Sequence, residues 1–269
     1  MQKAGHARGW ERARVCAKRE VVKTVAVYSL KGGVGKTSLS VNLAWTSAVR
    51  SARRTLLWDL DAQAASSFIL RGEAPRRAEA RSLFARDVPP TSLIVQTAIE
   101  GLDLLPADAS LRDLDAFFAD LGKKRRLSRL VEQLGAEYDR ILLDCPPGLS
   151  QTAEQILRAA DLIVVPVIPS PLSRRALDDV LAHLDSTGQP RGTILPVFNM
   201  VDRRRMMHTA ALEAEPRWPT VPMASAVELM GVHRDAVCAY APRSPASAAI
   251  DALWTVIDRR LTRDEAAPA

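Results

Sequence analysis

At 269 residues, 47% of them hydrophobic and 25% charged, the chain has the make-up of an ordinary globular protein of one large or two small domains. No apolar run approaches the ~20 residues of a membrane helix, no apolar leader opens the chain, and three scattered cysteines (Cys16, Cys145, Cys238) exclude a disulfide framework. The net charge is +6, but six basic residues against two acidic ones within residues 1–20 account for +4 of it, so the remainder is near neutral.

Residues 1–20 read as a basic, flexible extension, either a genuine contact segment or the product of an upstream start codon, and the compartment expected is the cytoplasm. From Val21 onward, short β-branched runs alternate with amphipathic stretches of helix length, the pattern of parallel βαβ units. "TVAVYSL" is an expected strand, and a helix follows over Lys36–Val49. "RTLLWDLD" is a second strand, and the Arg-, Ala- and Pro-rich window Arg71–Pro90 reads as a surface excursion. "GLDLLPA" is a third strand, followed by helices near Ser110–Asp120 and Lys124–Glu137. "YDRILLDCPP", "DLIVVPVIP" and "TILPVFNMV" supply three more strands, with helices over Arg174–Asp185 and Arg204–Glu213. A final helix, about Ala246–Arg263, carries Ile250, Leu253, Trp254, Ile257 and Leu261 on one face. The expected fold is α/β, one doubly wound and mostly parallel sheet in a single domain over residues 21–263, with 264–269 a disordered tail.

"SLKGGVGKTS" lies between the first strand and the first helix. Glycines at 32, 33 and 35 let backbone N–H groups turn inward at a helix N-terminus, which is how a loop cradles phosphate. Lys36 would reach the β- and γ-phosphates, and the Thr37 hydroxyl would bind Mg²⁺. The loop Lys31, Gly32, Gly33, Val34, Gly35, Lys36, Thr37 and Ser38 is the expected ATP site. Carboxylates at neighbouring strand ends would complete a magnesium site. Asp144 closes "ILLD", and Asp59 and Asp61, two residues apart in an extended segment, close "LLWDLD". Taken alone, Asp59 would read as a helix cap.

"KGGVGKTS", "LLWDLDAQAASSF", "ILLDCPPGLS" and "FNMVDRRRMMH" occur in the order and at about the spacing seen in the ParA/MinD family of deviant Walker A ATPases. The chain resembles its ParA-type members over about Val21–Leu261. The resemblance implies that Lys31 is the signature lysine, contacting the partner subunit's ATP across a nucleotide-sandwich homodimer. It implies that Asp61 is the switch I aspartate acting on the hydrolytic water, that Asp59 stands near the metal's outer shell, and that Asp144 is the Walker B aspartate with switch II after it. Asn199 and the backbone near Pro222 fall where the family holds adenine. Ala62 departs from the proline common in switch I.

ParA-type relatives bind DNA without sequence preference and meet a ParB-like or cargo-adaptor protein, which implies nucleoid association here. Phosphate contacts of that kind need arginine or lysine. Arg203, Arg204 and Arg205 are the candidates, with Arg174, Arg175 and Arg243 behind them; a solvated helix start is the plain alternative. MinD-like relatives end instead in a helix that lies on the membrane, but the spacing of the last helix here is that of a face packed on the domain. An ATP-binding scaffold with little turnover is a third possibility. Paired cysteines of an iron–sulfur reductase and the tyrosine-rich end of a bacterial tyrosine kinase are both missing. The four histidines have no ligand spacing, and Cys145 reads as a small core residue.

Overall fold

The computed structural model describes residues 21–70, 79–85, 88–121, 125–187 and 193–266; the expectations for residues 1–20 and 267–269 lie outside them, whereas 264–266, expected in a disordered tail, belong to the last helix, Pro245–Ala266. The strands are β1 (Lys23–Val27), β2 (Thr55–Asp59), β3 (Val95–Gln96), β4 (Leu102–Leu105), β5 (Arg140–Asp144), β6 (Leu162–Val167), β7 (Thr193–Val201) and β8 (Thr220–Pro222). They form one sheet in the order β3-β4-β2-β5-β1-β6-β7-β8. Every pairing is parallel except β3 with β4 at the edge.

The helices are α1 (Lys36–Val49), α2 (Ala65–Leu70), α3 (Ser82–Ala85), α4 (Leu114–Leu121), α5 (Arg126–Leu134), α6 (Gln151–Ala159), α7 (Pro171–Thr187), α8 (Met206–Ala214), α9 (Ser225–Glu228), α10 (Met230–His233), α11 (Val237–Tyr240) and α12 (Pro245–Ala266). They cover both faces. The period-2 alternation of β1 shows why: Val25 and Val27 join the apolar cluster under α1 and α12, whereas Ala26 and Tyr28 join the opposite one, with α4, α5 and α6. The five apolar residues of the last helix are all at most 2% exposed. The α12 face weighed as a membrane contact is therefore covered by the domain itself, and Trp254 is fixed by its Nε1–H to Ser51 Oγ at 2.7 Å. Among the described residues, no helix is long and apolar enough to cross a membrane.

The surface excursion expected over Arg71–Pro90 needs correction in part. Residues 71–78 and 86–87 lie outside the described set. Leu83 and Phe84 on α3, however, are 1% exposed, and Phe84 stacks on Trp58 with centroids 5.9 Å apart and meets Phe118 edge-on. One aliphatic–aromatic pair in a basic, proline-rich window was enough to anchor that segment to the core. Leu30, expected to end the first strand, sits beyond it, half-buried against the same cluster.

β1 sits at the centre, flanked by β5 and β6, and its carboxyl end is level with that of β5, Val27 opposite Asp144. In open parallel sheets ligands bind in the crevice outside the strand carboxyl ends, where connections diverge to opposite sides. The glycine loop leaves the sheet there.

Candidate nucleotide site

The loop enters α1 through Gly33 and Gly35, whose φ angles of 71° and 86° are costly for any other residue. Gly35 has a second constraint, because a Cβ there would collide with the side-chain amide of Asn199. That amide donates from Nδ2 to Val34 O at 2.7 Å, tying β7 to the loop. Helix α1 has neither a side-chain cap nor an acidic residue in its first turn. Its N-terminal amides and dipole are thus left for an external anion, as a phosphate site requires.

Lys36 is 7% exposed, and its ammonium donates to Lys31 O at 3.3 Å, curled back over the loop. Burial lowers its pKa, with Cys145, Asp144 and Asp61 opposing the shift. Lys31 is half-buried, and its Nζ lies 3.4 Å from Ser173 Oγ in the first turn of α7.

Asp144 accepts a hydrogen bond from Ser40 Oγ at 3.1 Å on Oδ1, while buried Oδ2, like Ser66 Oγ, completes none of good geometry. Burial first, and then the neighbouring Asp59 charge, push the Asp144 carboxyl up to about 7, against the hydroxyls of Thr37, Ser66 and Ser40. A buried carboxylate oxygen without a partner, beside hydroxyl oxygens, fits a hard oxygen-seeking cation such as Mg²⁺. Among the described residues no group of three or more His, Cys, Asp or Glu side chains could hold a metal. The donor set therefore suits a cation that draws its other ligands from phosphate and water, the usual habit of Mg²⁺.

Asp59 and Asp61 end up in different circumstances. Asp59 is fully buried and accepts from Asp61 N–H at 3.1 Å, Ser67 N–H at 2.9 Å and Ser67 Oγ at 2.7 Å. It thereby fastens the start of α2 to the end of β2, while its burial raises its pKa. Asp61 is half-buried, close enough to act on Lys36, and its carboxylate accepts a local bond from Gln63 N–H at 2.9 Å.

Beyond Ser38 the crevice continues into an open cleft of about 480 Å³, lined among others by Ser38, Asn42, Asn199, Met200, Pro222 and Met223. Asn199 and Pro222, distant in sequence, thus line one cleft at the end of the phosphate loop. Sequence reasoning missed Asn42, Ser40 and Ser173. Asn42 is 1% exposed and bridges Ser38 O at 2.7 Å and Val237 N–H at 2.8 Å. A buried asparagine in an apolar helix run was the available signal for it.

The arginines are unequally placed. Arg203, Arg204 and Arg205 are all exposed ahead of α8. Arg204 forks onto Asp202 at 2.9 and 3.0 Å, and Arg205 Nε is 3.7 Å from the same carboxylate. Arg174 is engaged with Glu215 at 2.6 Å and lies over the Trp218 ring, whereas Arg175 and Arg243 are exposed. Cys145 is a buried core residue, as expected, and burial drives its pKa up.

A parallel sheet whose central strand passes through a glycine loop into a helix, with lysine and threonine at the helix start and buried aspartates at the next strand ends, defines a P-loop nucleoside triphosphatase. A family model described as an AAA domain matches residues 22–191. Over 200 residues the chain is 32% identical to the chromosome partitioning protein ParA of Caulobacter vibrioides, covering 69% of this chain and 72% of that one. Its fold is similar to that of a Cyanothece McdA in complex with ATP (TM-score 0.75, 21% identity, 87% and 97% of the two chains). It is also similar to that of cobyrinic acid a,c-diamide synthase from Mycobacterium smegmatis with an ATP analogue and magnesium (TM-score 0.76, 24% identity, 90% and 96%). The chain belongs to the ParA/MinD family of P-loop ATPases.

Proposed function

We propose that the protein is an ATP-driven dimeric switch of ParA type. ATP with Mg²⁺ lies on the loop Lys31–Ser38, its base in the cleft of Asn199 and Pro222, and two subunits close face to face over the nucleotides. The ATP dimer holds DNA without sequence preference through Arg203–Arg205. A ParB-like or cargo-adaptor protein stimulates slow hydrolysis and releases it, so that the protein works on the nucleoid in the cytoplasm to partition DNA or position another cargo. The observation that carries this reading is the second loop lysine. Lys36 already serves the loop of its own subunit, and Lys31 adds a half-buried ammonium with no carboxylate partner among the described residues.

In the reaction Lys36 and the partner's Lys31 offset charge on the γ-phosphate, Asp61 orients the attacking water, and Thr37 and Asp144 hold the cation. Magnesium held there would supply neutralisation of phosphate charge. Asp59, committed to Ser67 and Asp61, acts on Asp144 through its charge and on Asp61 through the backbone. The covered apolar face of α12 favours DNA over a membrane surface as the partner.

Light scattering with ATP, ADP or no nucleotide tests the reading. Wild type is expected to dimerise only with ATP, and Lys31→Ala to remain a monomer. An ATP-dependent Lys31→Ala dimer would overturn the cross-subunit role. Asp61→Ala is expected to bind ATP, dimerise and stay on DNA without phosphate release, and wild-type turnover by that variant would remove Asp61 from the mechanism.

A further inference from the structure

The position of Lys31 is an odd one for a cation. Its Nζ rests on the hydroxyl of Ser173, 142 residues away in sequence, at 3.4 Å. Ser173 is 3% exposed and occupies the first turn of the 17-residue α7, where its N–H bonds back to Ser170 O at 3.1 Å. The N-terminal end of a helix carries the positive pole of its dipole, so cations are disfavoured there. The next two residues, Arg174 and Arg175, are also cationic, although Arg174 is turned onto Glu215 and Asp178. Ser173 itself cannot easily give way. Arg174 fixes the first turn of α7 through Glu215 at 2.6 Å and through the Trp218 ring, which packs on Phe198 of β7 with centroids 4.8 Å apart.

We propose that Ser173 is an intramolecular parking point for Lys31, a self-docked resting state that competes with the reach of Lys31 across the dimer. This rests on the reading of Lys31 given above. The two states belong to one side chain. Docked, the ammonium has a single neutral partner among the described residues, at an unfavourable helix end. Undocked, it meets the triphosphate of the other subunit. A partner this weak holds the lysine in the monomer and yields readily once phosphate is offered, so the strength of the docked contact sets the threshold for ATP-dependent dimerisation.

Opposite changes at one position separate this from a plain packing role. Ser173→Ala removes the acceptor and is expected to tighten the ATP-dependent dimer about threefold to tenfold, the scale of a typical net hydrogen bond. Ser173→Asp gives Lys31 a carboxylate, at a helix position that favours one, and is expected to weaken the dimer about tenfold. Ser173→Thr, which keeps the hydroxyl, should match wild type, and ADP affinity should be the same in all. In nucleotide-free protein, reductive methylation of Lys31, read by peptide mass spectrometry, should be faster in Ser173→Ala and slower in Ser173→Asp. If thermal melting shows Ser173→Ala to be misfolded, Ser173→Cys takes its place with the same expectation.

A Ser173→Ala dimer equal to or weaker than wild type would overturn the inference. So would faster methylation without a tighter dimer, since the contact would then exist but control nothing. An ATP-dependent dimer in Lys31→Ala would instead remove the reading beneath it.

Discussion

Asp59 and Asp144 are register partners on adjacent parallel strands, and both carboxyl groups are buried from water, at 0% and 1% exposure. Two carboxylates in that relation repel, and burial raises the pKa of both, opposed at Asp59 by the Ser67 N–H and hydroxyl. With its pKa raised to about 7, Asp144 binds its proton more tightly in the fold than in the unfolded chain. Its contribution to stability is therefore present below the unfolded value near 4 and lost as pH rises through about 7. Asp144→Asn should leave melting near pH 4 almost unchanged and stabilise the nucleotide-free protein at pH 8. A tenfold change in proton affinity is worth about 1.4 kcal/mol, so the gain at pH 8 amounts to a few kcal/mol. The same variant should lose magnesium-dependent nucleotide binding, and in wild type that binding should weaken as pH falls below 7 with uptake of a proton at Asp144. Equal melting shifts at pH 4 and pH 8 would show that the Asp144 proton is not the cause.

Gly35 is held by two separate demands, a left-handed φ of 86° and the proximity of Asn199. Gly35→Ala should cost about 1–3 kcal/mol for the backbone alone, with the collision in addition, and should abolish nucleotide binding. Adding Asn199→Ala removes the collision and leaves the backbone cost. The double variant should then melt above Gly35→Ala, although each single change is destabilising. Additive losses in thermal melts would show that the amide swings clear and that the φ constraint acts by itself.

How much of this was readable beforehand depends on the range over which each contact acts. Helix α1 was legible at both ends, Lys36 and Val49, because the glycine loop and the helical periodicity are local signals. The central strands were legible because a buried parallel sheet writes continuous apolar runs. Helix α6, missed in sequence, is short and is announced chiefly by Ser150, whose hydroxyl accepts the Ala153 N–H at 3.1 Å. Asp202 holding Arg204 is separated by only two residues and was overlooked because the arginine run was weighed by charge alone. The Lys31–Ser173 and Asn199–Val34 contacts span 142 and 165 residues. No periodicity encodes such pairs; they arise where the sheet brings the ends of β1, β6 and β7 side by side.

The covered face of α12 leads to a prediction about the C-terminus. Trp254 is 2% exposed, packs in the cluster beneath α1 and donates to Ser51. Trp254→Ala should destabilise the protein by about 3–5 kcal/mol, as large-to-small changes in a core do, and removal of residues 250–263 should unfold it. Neither loss concerns lipid. Anionic vesicles with ATP should fail to sediment the wild-type protein, and ATP-dependent co-sedimentation lost by a folded Trp254→Ala variant would contradict this assignment.

Asp202 decides how much of the arginine run is available to a phosphate backbone. Its pKa is lowered to about 2, first by the Arg204 hydrogen bonds, so it remains a carboxylate throughout the working range of pH. Among the described residues Arg203 has no side-chain contact of this kind, while Arg204 and Arg205 must exchange Asp202 for phosphate if they are to touch DNA. Nonspecific binding driven by phosphate contacts weakens with salt, with a slope of log K against log salt of about −0.9 per contact. Arg203→Ala should therefore make that slope shallower by about one contact and weaken binding uniformly across sequences. Asp202→Ala should do the reverse, tightening the ATP dimer on DNA and steepening the slope by up to about two contacts. Fluorescence anisotropy on duplexes of unrelated sequence, titrated with salt in the presence of ATP, measures both. If Asp202→Ala left affinity and slope at wild-type values, Arg204 and Arg205 would not face the DNA, and the contact would have to be sought at Arg175 and Arg243, which are also exposed.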